Sequence, residues 1–360
     1  VALLLAWSVR AAAAPACGEL LQPRSLVRLG TDVGLRTYGL AWSGGQTLLL
    51  ATFDGVKRYD LRTGKSTTAV SGAEVPVGIP APSNVASDGA TAVAFNDQFS
   101  AYAFRLADGV RVLGRRNHDF QILDAAVRGR FFYVLGFRTG AHEFPVPAIW
   151  RVATGAAWST AVPLYVIRDV DAAEVLYTSL PPQGGSLAVE PDGTVDAVVA
   201  GEAGVIRIGP DGKELPRLGG SLRQLEIPDM PEVIRKYARR PDLQYEIFNR
   251  GLMADDLVLT AEGPALVVRG VAGDRVRWEL WLPDGSGLRM RYRLGIDRPA
   301  PYGHLRCDAA GRALACVFGQ PAVNGKGPDR DFLAVFDLPP TPSRSRCPPI
   351  TNQETRGTSR

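Results

Sequence analysis

Short apolar runs of strand length recur along this chain, and tight-turn dipeptides separate them. Asp-Gly stands at 54–55, 88–89, 108–109, 192–193, 211–212 and 284–285, and Thr-Gly at 63–64 and 154–155. Gly accepts positive φ and Asp hydrogen-bonds its own backbone, so these pairs suit tight turns between strands. Runs such as Thr47-Leu-Leu-Leu-Ala51 and Phe131-Phe-Tyr-Val-Leu135 lack a polar alternate. Runs of this length and composition suit strands buried on both faces.

The runs group into a repeating unit: a strand, a turn, a more apolar strand, a third strand leaving through a polar turn, and a fourth. Residues 38–42, 46–52 and 55–60, with a strand from Lys65, make the first unit. The second opens at 84–87, 91–95 and 101–105, and the third has 121–127, 130–136 and 148–152. The fourth is the clearest, with Ser186-Leu-Ala-Val-Glu190, a Pro-Asp-Gly turn, 194–200, 204–208 and a second Pro-Asp-Gly. The fifth has 257–260, 265–269 and 275–281, and the sixth 305–308, 312–318 and 332–337. Six such units predict an all-β, six-bladed β-propeller. The sixth unit lacks its fourth strand, and Ser25-Leu-Val-Arg-Leu29 is placed to supply it. That pairing joins the first and last units and removes an exposed edge.

With phrases such as Leu187-Ala-Val-Glu-Pro-Asp-Gly193 and this number of units, residues 25–338 resemble the bacterial six-bladed β-propellers of the NHL and TolB-like kind. The resemblance implies a fold shared by binding scaffolds and some enzymes, so it does not assign a function.

One segment breaks the pattern. Asp229-Met-Pro-Glu232 reads as a capping box, and Val233, Ile234, Tyr237 and Ala238 follow helical spacing. Pro241 opens a second apolar stripe of Leu243, Ile247 and Phe248, which ends at Gly251. A helical hairpin over 228–251 is therefore expected between the fourth and fifth blades. It forms either a structural plug or a lid over a ligand site.

The apolar start through Trp7, the Ala run and Ala14-Pro15-Ala16 resemble the end of a secretory signal peptide. The domain reading is residues 1–16 as signal, 17–338 as propeller and 339–360 as a polar tail, with a secreted or periplasmic destination. The apolar start is too short for a stable membrane span. Export favours paired thiols among the four cysteines. Cys307 and Cys316 flank the turn 308–311 and are expected to pair, leaving Cys17 with Cys347. Lipidation of Cys17 is the competing reading.

Catalytic motifs are absent. No Gly-x-Ser-x-Gly or His-Glu-x-x-His occurs, and Thr63-Gly-Lys-Ser-Thr67 lacks the first Gly of a phosphate loop. No catalytic residue, metal site or cofactor is expected. A net charge of +4 is too small for a dedicated nucleic-acid binder.

Topology offers a binding face. Loops that precede a first strand and loops between second and third strands share one end of a propeller. His118 with Asp119, His142 with Glu143, and Tyr302 with His304 map there, beside Tyr237 and Arg239 of the insert. The expected function is a monomeric exported scaffold that binds a protein, peptide or glycan on this face. The alternative is a metal-dependent hydrolase. Its lactonase-like relatives, by resemblance, hold a divalent metal with carboxylate and Asn ligands in the channel. The channel candidates here form no evident Asp/Glu/Asn set. Trp42, Trp150, Trp278 and Trp281 fall in strands and are expected to pack between blades.

Overall fold

Turn chemistry and apolar runs place the strands close to where the sequence predicts them. The computed structural model describes residues 18–30, 33, 37–71, 82, 84–96, 100–106, 115–116, 120–138, 147–154, 162–167, 185–199, 202, 204–219, 253–272, 275–285, 287–296, 298–299, 305–320 and 330–340. The signal segment, the 228–251 insert, the C-terminal tail beyond 340 and the Cys17–Cys347 pair lie outside these residues.

Two short strands open the described chain, β1 (Glu19–Leu21) and β2 (Ser25–Arg28). One sheet follows from β3 (Thr37–Gly44), β4 (Thr47–Thr52), β5 (Gly55–Asp60) and β6 (Lys65–Ser71). The next has β7 (Asn84–Ser87), β8 (Thr91–Asn96), β9 (Ser100–Arg105) and β10 (Arg115–Arg116). Then come β11 (Phe120–Arg128), β12 (Phe131–Arg138), β13 (Pro147–Ala153) and β14 (Val162–Val166). A further sheet has β15 (Gly185–Val189), β16 (Val195–Val199), β17 (Val205–Ile208) and β18 (Glu214–Leu218). A larger sheet holds β19 (Met253–Thr260), β20 (Gly263–Ala272), β21 (Arg275–Asp284), β22 (Gly287–Leu294) and β23 (Arg298–Pro299), with β1 beside β22. The last has β24 (Leu305–Ala310), β25 (Ala313–Gln320) and β26 (Arg330–Asp337), with β2 beside β26.

The described residues thus form an all-β propeller with no helix among them. Five of its sheets are four-stranded, and one carries six strands. Uniform four-stranded units were expected. The departure arises because β1 adds to β22 in parallel, Glu19 opposite Tyr292 through Leu21 opposite Leu294, while β23 pairs with β21.

The first strand of each sheet packs on the first strand of the next. The series β3, β7, β11, β15, β19, β24 returns to β3. Apolar side chains fill every junction. Leu48 and Leu50 of β4 face Val317 and Val335, whereas Leu49 and Ala51 face Val85 and Ala94. Alternate residues of one strand therefore enter two different cores, which explains the unbroken apolar run. Each fully buried Leu contributes ~1.5–3 kcal/mol, so β4 anchors both neighbours. Trp42, Trp150, Trp278 and Trp281 are all buried between sheets.

Closure uses the N-terminal strand, as the sequence predicts. β2 runs antiparallel to β26, Ser25 opposite Val335 through Arg28 opposite Phe332, and Arg24 Nη1 donates to Asp337 Oδ1 at 2.6 Å. Since β1 joins the neighbouring sheet, the N-terminal stretch ties two sheets together.

Cys307 and Cys316 form a disulfide across a directly paired position of β24 and β25. Closing this short loop is worth ~2–3 kcal/mol in the chain-entropy account. Replacing both cysteines by Ala is expected to lower unfolding free energy by about that amount or more, since Cys316 is fully buried. Urea denaturation of the variant beside the oxidised wild type measures it.

Candidate functional site

The first strands leave one backbone edge facing the propeller axis, where no further strand among the described residues covers it. Its amides need acceptors, and side chains of the neighbouring first strands supply them.

Asp124 on β11 accepts from its own neighbour Ala125 N (2.9 Å) and from Leu187 N on β15 (2.8 Å). Asn84 Nδ2 on β7 reaches Asp124 Oδ1 at 3.4 Å, and the Asn84 carbonyl accepts from Val85 N. Ser186 Oγ on β15 accepts from Leu257 N on β19 at 2.9 Å. Asp256 on β19 accepts from Leu257 N (3.0 Å) and from Cys307 N on β24 (2.7 Å). Asp308 on β24 accepts from Ala309 N (2.8 Å) and from Trp42 N on β3 (2.7 Å). The same device recurs: a carboxylate holds the amide of the next residue and an amide of the following sheet.

Local backbone irregularity aims these groups. Register shifts fall between Ile122 and Asp124 and between Ala254 and Asp256, leaving Leu123 and Asp255 as extra residues. A bulge re-aims the side chain beside it. Asp255 turns into its own sheet, where Trp278 Nε1 donates to it at 2.7 Å and Arg269 Nε lies 3.2 Å away. On β3 a similar shift flanks Tyr38, and Gly39 takes the equivalent place. It carries no side chain because Asn84 fills that space: a Cβ at Gly39 would lie 2.0 Å from Asn84 Oδ1.

On β24 the corresponding place holds a cation. Asp124, Asp256 and Arg306 stand equally far from the last pairs of their hairpins, Arg128–Phe131, Thr260–Gly263 and Ala310–Ala313. Arg306 Nη1 lies 3.9 Å from Asp256 Oδ1 and donates to the Asp255 carbonyl at 3.5 Å.

A cavity of about 340 Å³ runs along the axis, walled by all the first strands. Its lining extends from exposed Gly44, Gly89, Arg128 and Ala310 at the hairpin end to Asn84, Asp124 and Asp256. Small apolar residues such as Ala86, Ala126, Ala188 and Ala309 line the wall between.

Burial dominates the electrostatics. It pushes Asp124 up to about 6, opposed by Arg306 and reinforced by Asp256. It raises Asp256 and Asp255, again against nearby cations. Asp308 keeps some residue exposure, yet its deeply set carboxyl is pushed up to about 7 by burial, against the Trp42 and Ala309 amides. Asp196 on β16 also rises to about 7 by burial, although Arg207 Nε lies 2.9 Å away. A carboxyl raised in the folded state stabilises fully below its unfolded value and loses that contribution as pH rises through the folded value. Thermal midpoints are therefore expected to decrease from about pH 4 to about pH 7, with roughly 3–4 kcal/mol as an upper bound for each of Asp124, Asp196 and Asp308. A midpoint rising across that window contradicts this assignment. Asp54, Asp60, Asp192 and Asp211 are lowered, but they are surface groups and act only at more acid pH.

The residues expected from sequence to form a binding face, His118, Asp119, His142, Glu143, Tyr237, Arg239, Tyr302 and His304, lie outside the described residues. Thr63 and Gly64 form a turn capped by Asp60, which accepts from Arg62 N and Thr63 N, and a strand follows rather than a helix. The expectation that the channel lacks an Asp/Asn set is corrected: Asn84, Asp124, Asp256 and Asp308 converge there. For Asn84, Asp124 and Asp256 the signal was present in an amide and carboxylates set at matching offsets inside apolar strands, as in Ile122-Leu-Asp-Ala-Ala-Val127 and Asp255-Asp-Leu-Val-Leu259, whereas Asp308 sits two residues further along its strand than that place. Among the described residues, no group of three or more His, Cys, Asp or Glu is arranged to hold a metal ion.

No family model and no curated protein sequence matches the chain. Solved structures similar to it include U3-55K, at 9% identity over 87% of this chain and 99% of that one, with a TM-score of 0.49. A Bacteroides thetaiotaomicron protein of unknown function matches at 13% identity over 89% of this chain and 75% of that one, TM-score 0.48. A calcium-binding protein, regucalcin, from Agrobacterium tumefaciens matches at 13% identity over 90% and 98%, TM-score 0.47. Nothing about activity follows from likenesses this distant.

Proposed function

We propose that this chain is an exported, monomeric propeller scaffold of the NHL and TolB-like kind that binds a protein, peptide or glycan. The six-stranded sheet counts as its sixth blade, because β19 takes its turn in the closed series of first strands. The observation that carries the scaffold reading is the use of the axial carboxylates. Asp124, Asp256 and Asp308 each hold backbone amides of two strands, a fastening role that competes with catalysis. Arg306 puts a fixed positive charge beside Asp256, which disfavours a second cation there and weakens the metal-hydrolase reading.

The ligand face is the end bearing the loops before the first strands, with His118, Asp119, His142, Glu143, Tyr302, His304 and, from the insert, Tyr237 and Arg239. The exposed cavity-lining residues Gly44, Gly89, Arg128 and Ala310 lie at the hairpin end. Export is supported by the apolar N-terminus and by the Cys307–Cys316 disulfide, since such bonds persist in oxidising compartments.

Peptide and glycan arrays probed with the purified chain test this reading. A binder that loses at least about tenfold in affinity on combined His118→Ala, His142→Ala and His304→Ala substitution supports it. Turnover of lactone substrates with added calcium or manganese, lost on Asp124→Asn, sinks it.

A further inference from the structure

The three axial groups Asp124, Ser186 and Asp256 have one hydrogen fewer than their contacts require. Ser186 Oγ lies 2.9 Å from Asp124 Oδ2 and 2.8 Å from Asp256 Oδ1, and it already accepts from Leu257 N. A hydroxyl carries a single hydrogen, and ionised carboxylates carry none. Ser186 can donate to one carboxyl only. The other oxygen–oxygen contact, below 3 Å, is repulsive unless that carboxyl brings its own proton.

We infer that Asp124, Ser186 and Asp256 hold one shared acid proton, and that its loss as pH rises loosens the clasp joining β11, β15 and β19. The proton passes to bulk water, and no other bond changes. Both carboxylates stay anchored after it leaves, Asp124 by Ala125 N and Leu187 N, Asp256 by Leu257 N and Cys307 N. Ser186 is the member that moves. It follows Gly185, whose φ of 137° places it where other residues are strained.

The charged and titratable groups around the triad favour retention of a proton. From β19 comes Asp255, from β20 Arg269, and from β24 Arg306 and Asp308. Among the described side chains, β7, β8, β12 and β15 contribute no charged group beside Asp124. Two cations thus face four acids, and enclosure disfavours leaving every acid ionised. Burial raises both members of the pair, which agrees with the hydrogen count.

Carbon-13 NMR of the aspartate side chains in the full chain, from about pH 4 to about pH 8, tests the shared proton. In wild type, Asp124 and Asp256 are expected to titrate in common steps, the upper one near neutrality. With Asp124→Asn the amide nitrogen can turn to Ser186 Oγ and free the Ser186 hydrogen for Asp256, so the upper step at Asp256 is expected to disappear. Asp256→Asn removes it at Asp124 in the same way. If each acid keeps its own upper step when the other is Asn, the proton is not shared and the inference is overturned. Should the variants fail to fold, separate wild-type midpoints, or ordinary low ones, overturn it equally.

The loosening has its own readout. The Ser186 side-chain rotamer in wild type, read from its three-bond couplings, is expected to change across the upper step, because Ser186 is the member released. A Ser186 side chain that keeps the same rotamer throughout refutes the clasp.

Discussion

Asp256→Ala is expected to cost about 3–5 kcal/mol of folding stability, among the largest effects of any single side-chain truncation in the channel. The carboxyl is buried and accepts from Leu257 N and Cys307 N, and Arg306 lies beside it. Truncation leaves the enclosed Cys307 amide without its acceptor, worth ~1–3 kcal/mol, leaves Leu257 N with Ser186 Oγ alone, and removes the carboxylate 3.9 Å from the Arg306 guanidinium. Asp256→Asn keeps one carbonyl acceptor and is expected to cost less than Ala. Chemical denaturation of the two variants measures the order. A neutral or stabilising Asp256→Ala would indicate a carboxylate kept for chemistry at the expense of stability, and it would revive the hydrolase reading.

Gly39→Ala is expected to destabilise by about 3 kcal/mol or more, although it adds a single methyl group. The new Cβ would meet Asn84 Oδ1 at 2.0 Å, Asn84 Cγ at 2.8 Å and Asn84 Cα at 2.9 Å. The side-chain atoms can be removed, but the Cα cannot retreat without moving β7 away from β3. Adding Asn84→Ala should therefore rescue Gly39→Ala only in part. Thermal denaturation of both single variants and the double variant supplies the cycle. Full additivity would mean that the two strands adjust independently, contrary to the packing described here.

These two positions also show where sequence reasoning reached its limit. The hairpins were legible because their causes are local. Asp192-Gly193 makes a turn wherever it sits, Gly193 adopting a φ of 92°, and apolar runs of strand length report burial on two faces. Pairing of Cys307 with Cys316 followed from one hairpin. Closure through 25–29 was legible as well, because a three-stranded last unit leaves an edge that some strand must cover. The parallel addition of β1 had no such signal, since three residues carry no periodicity.

The axial ring is non-local. Asp124 meets Leu187 N across a sequence separation of 63 residues, and Asp308 meets Trp42 N across 266. An Asp inside an apolar strand can be a ligand, a catalyst or a fastener, and its partners decide which. Those partners lie on other sheets, so Asp124 and Asp256 read as isolated carboxylates until the ring closes. The chain's own order of turns and apolar runs was enough to specify repeated β-sheets closing on themselves, because each depends on neighbours in sequence. The roles of Gly39, Ser186, Asp256 and Arg306 were decided only by the tertiary structure. Each depends on what the adjoining first strand presents across the axis, and on how far enclosure there raises the cost of charge.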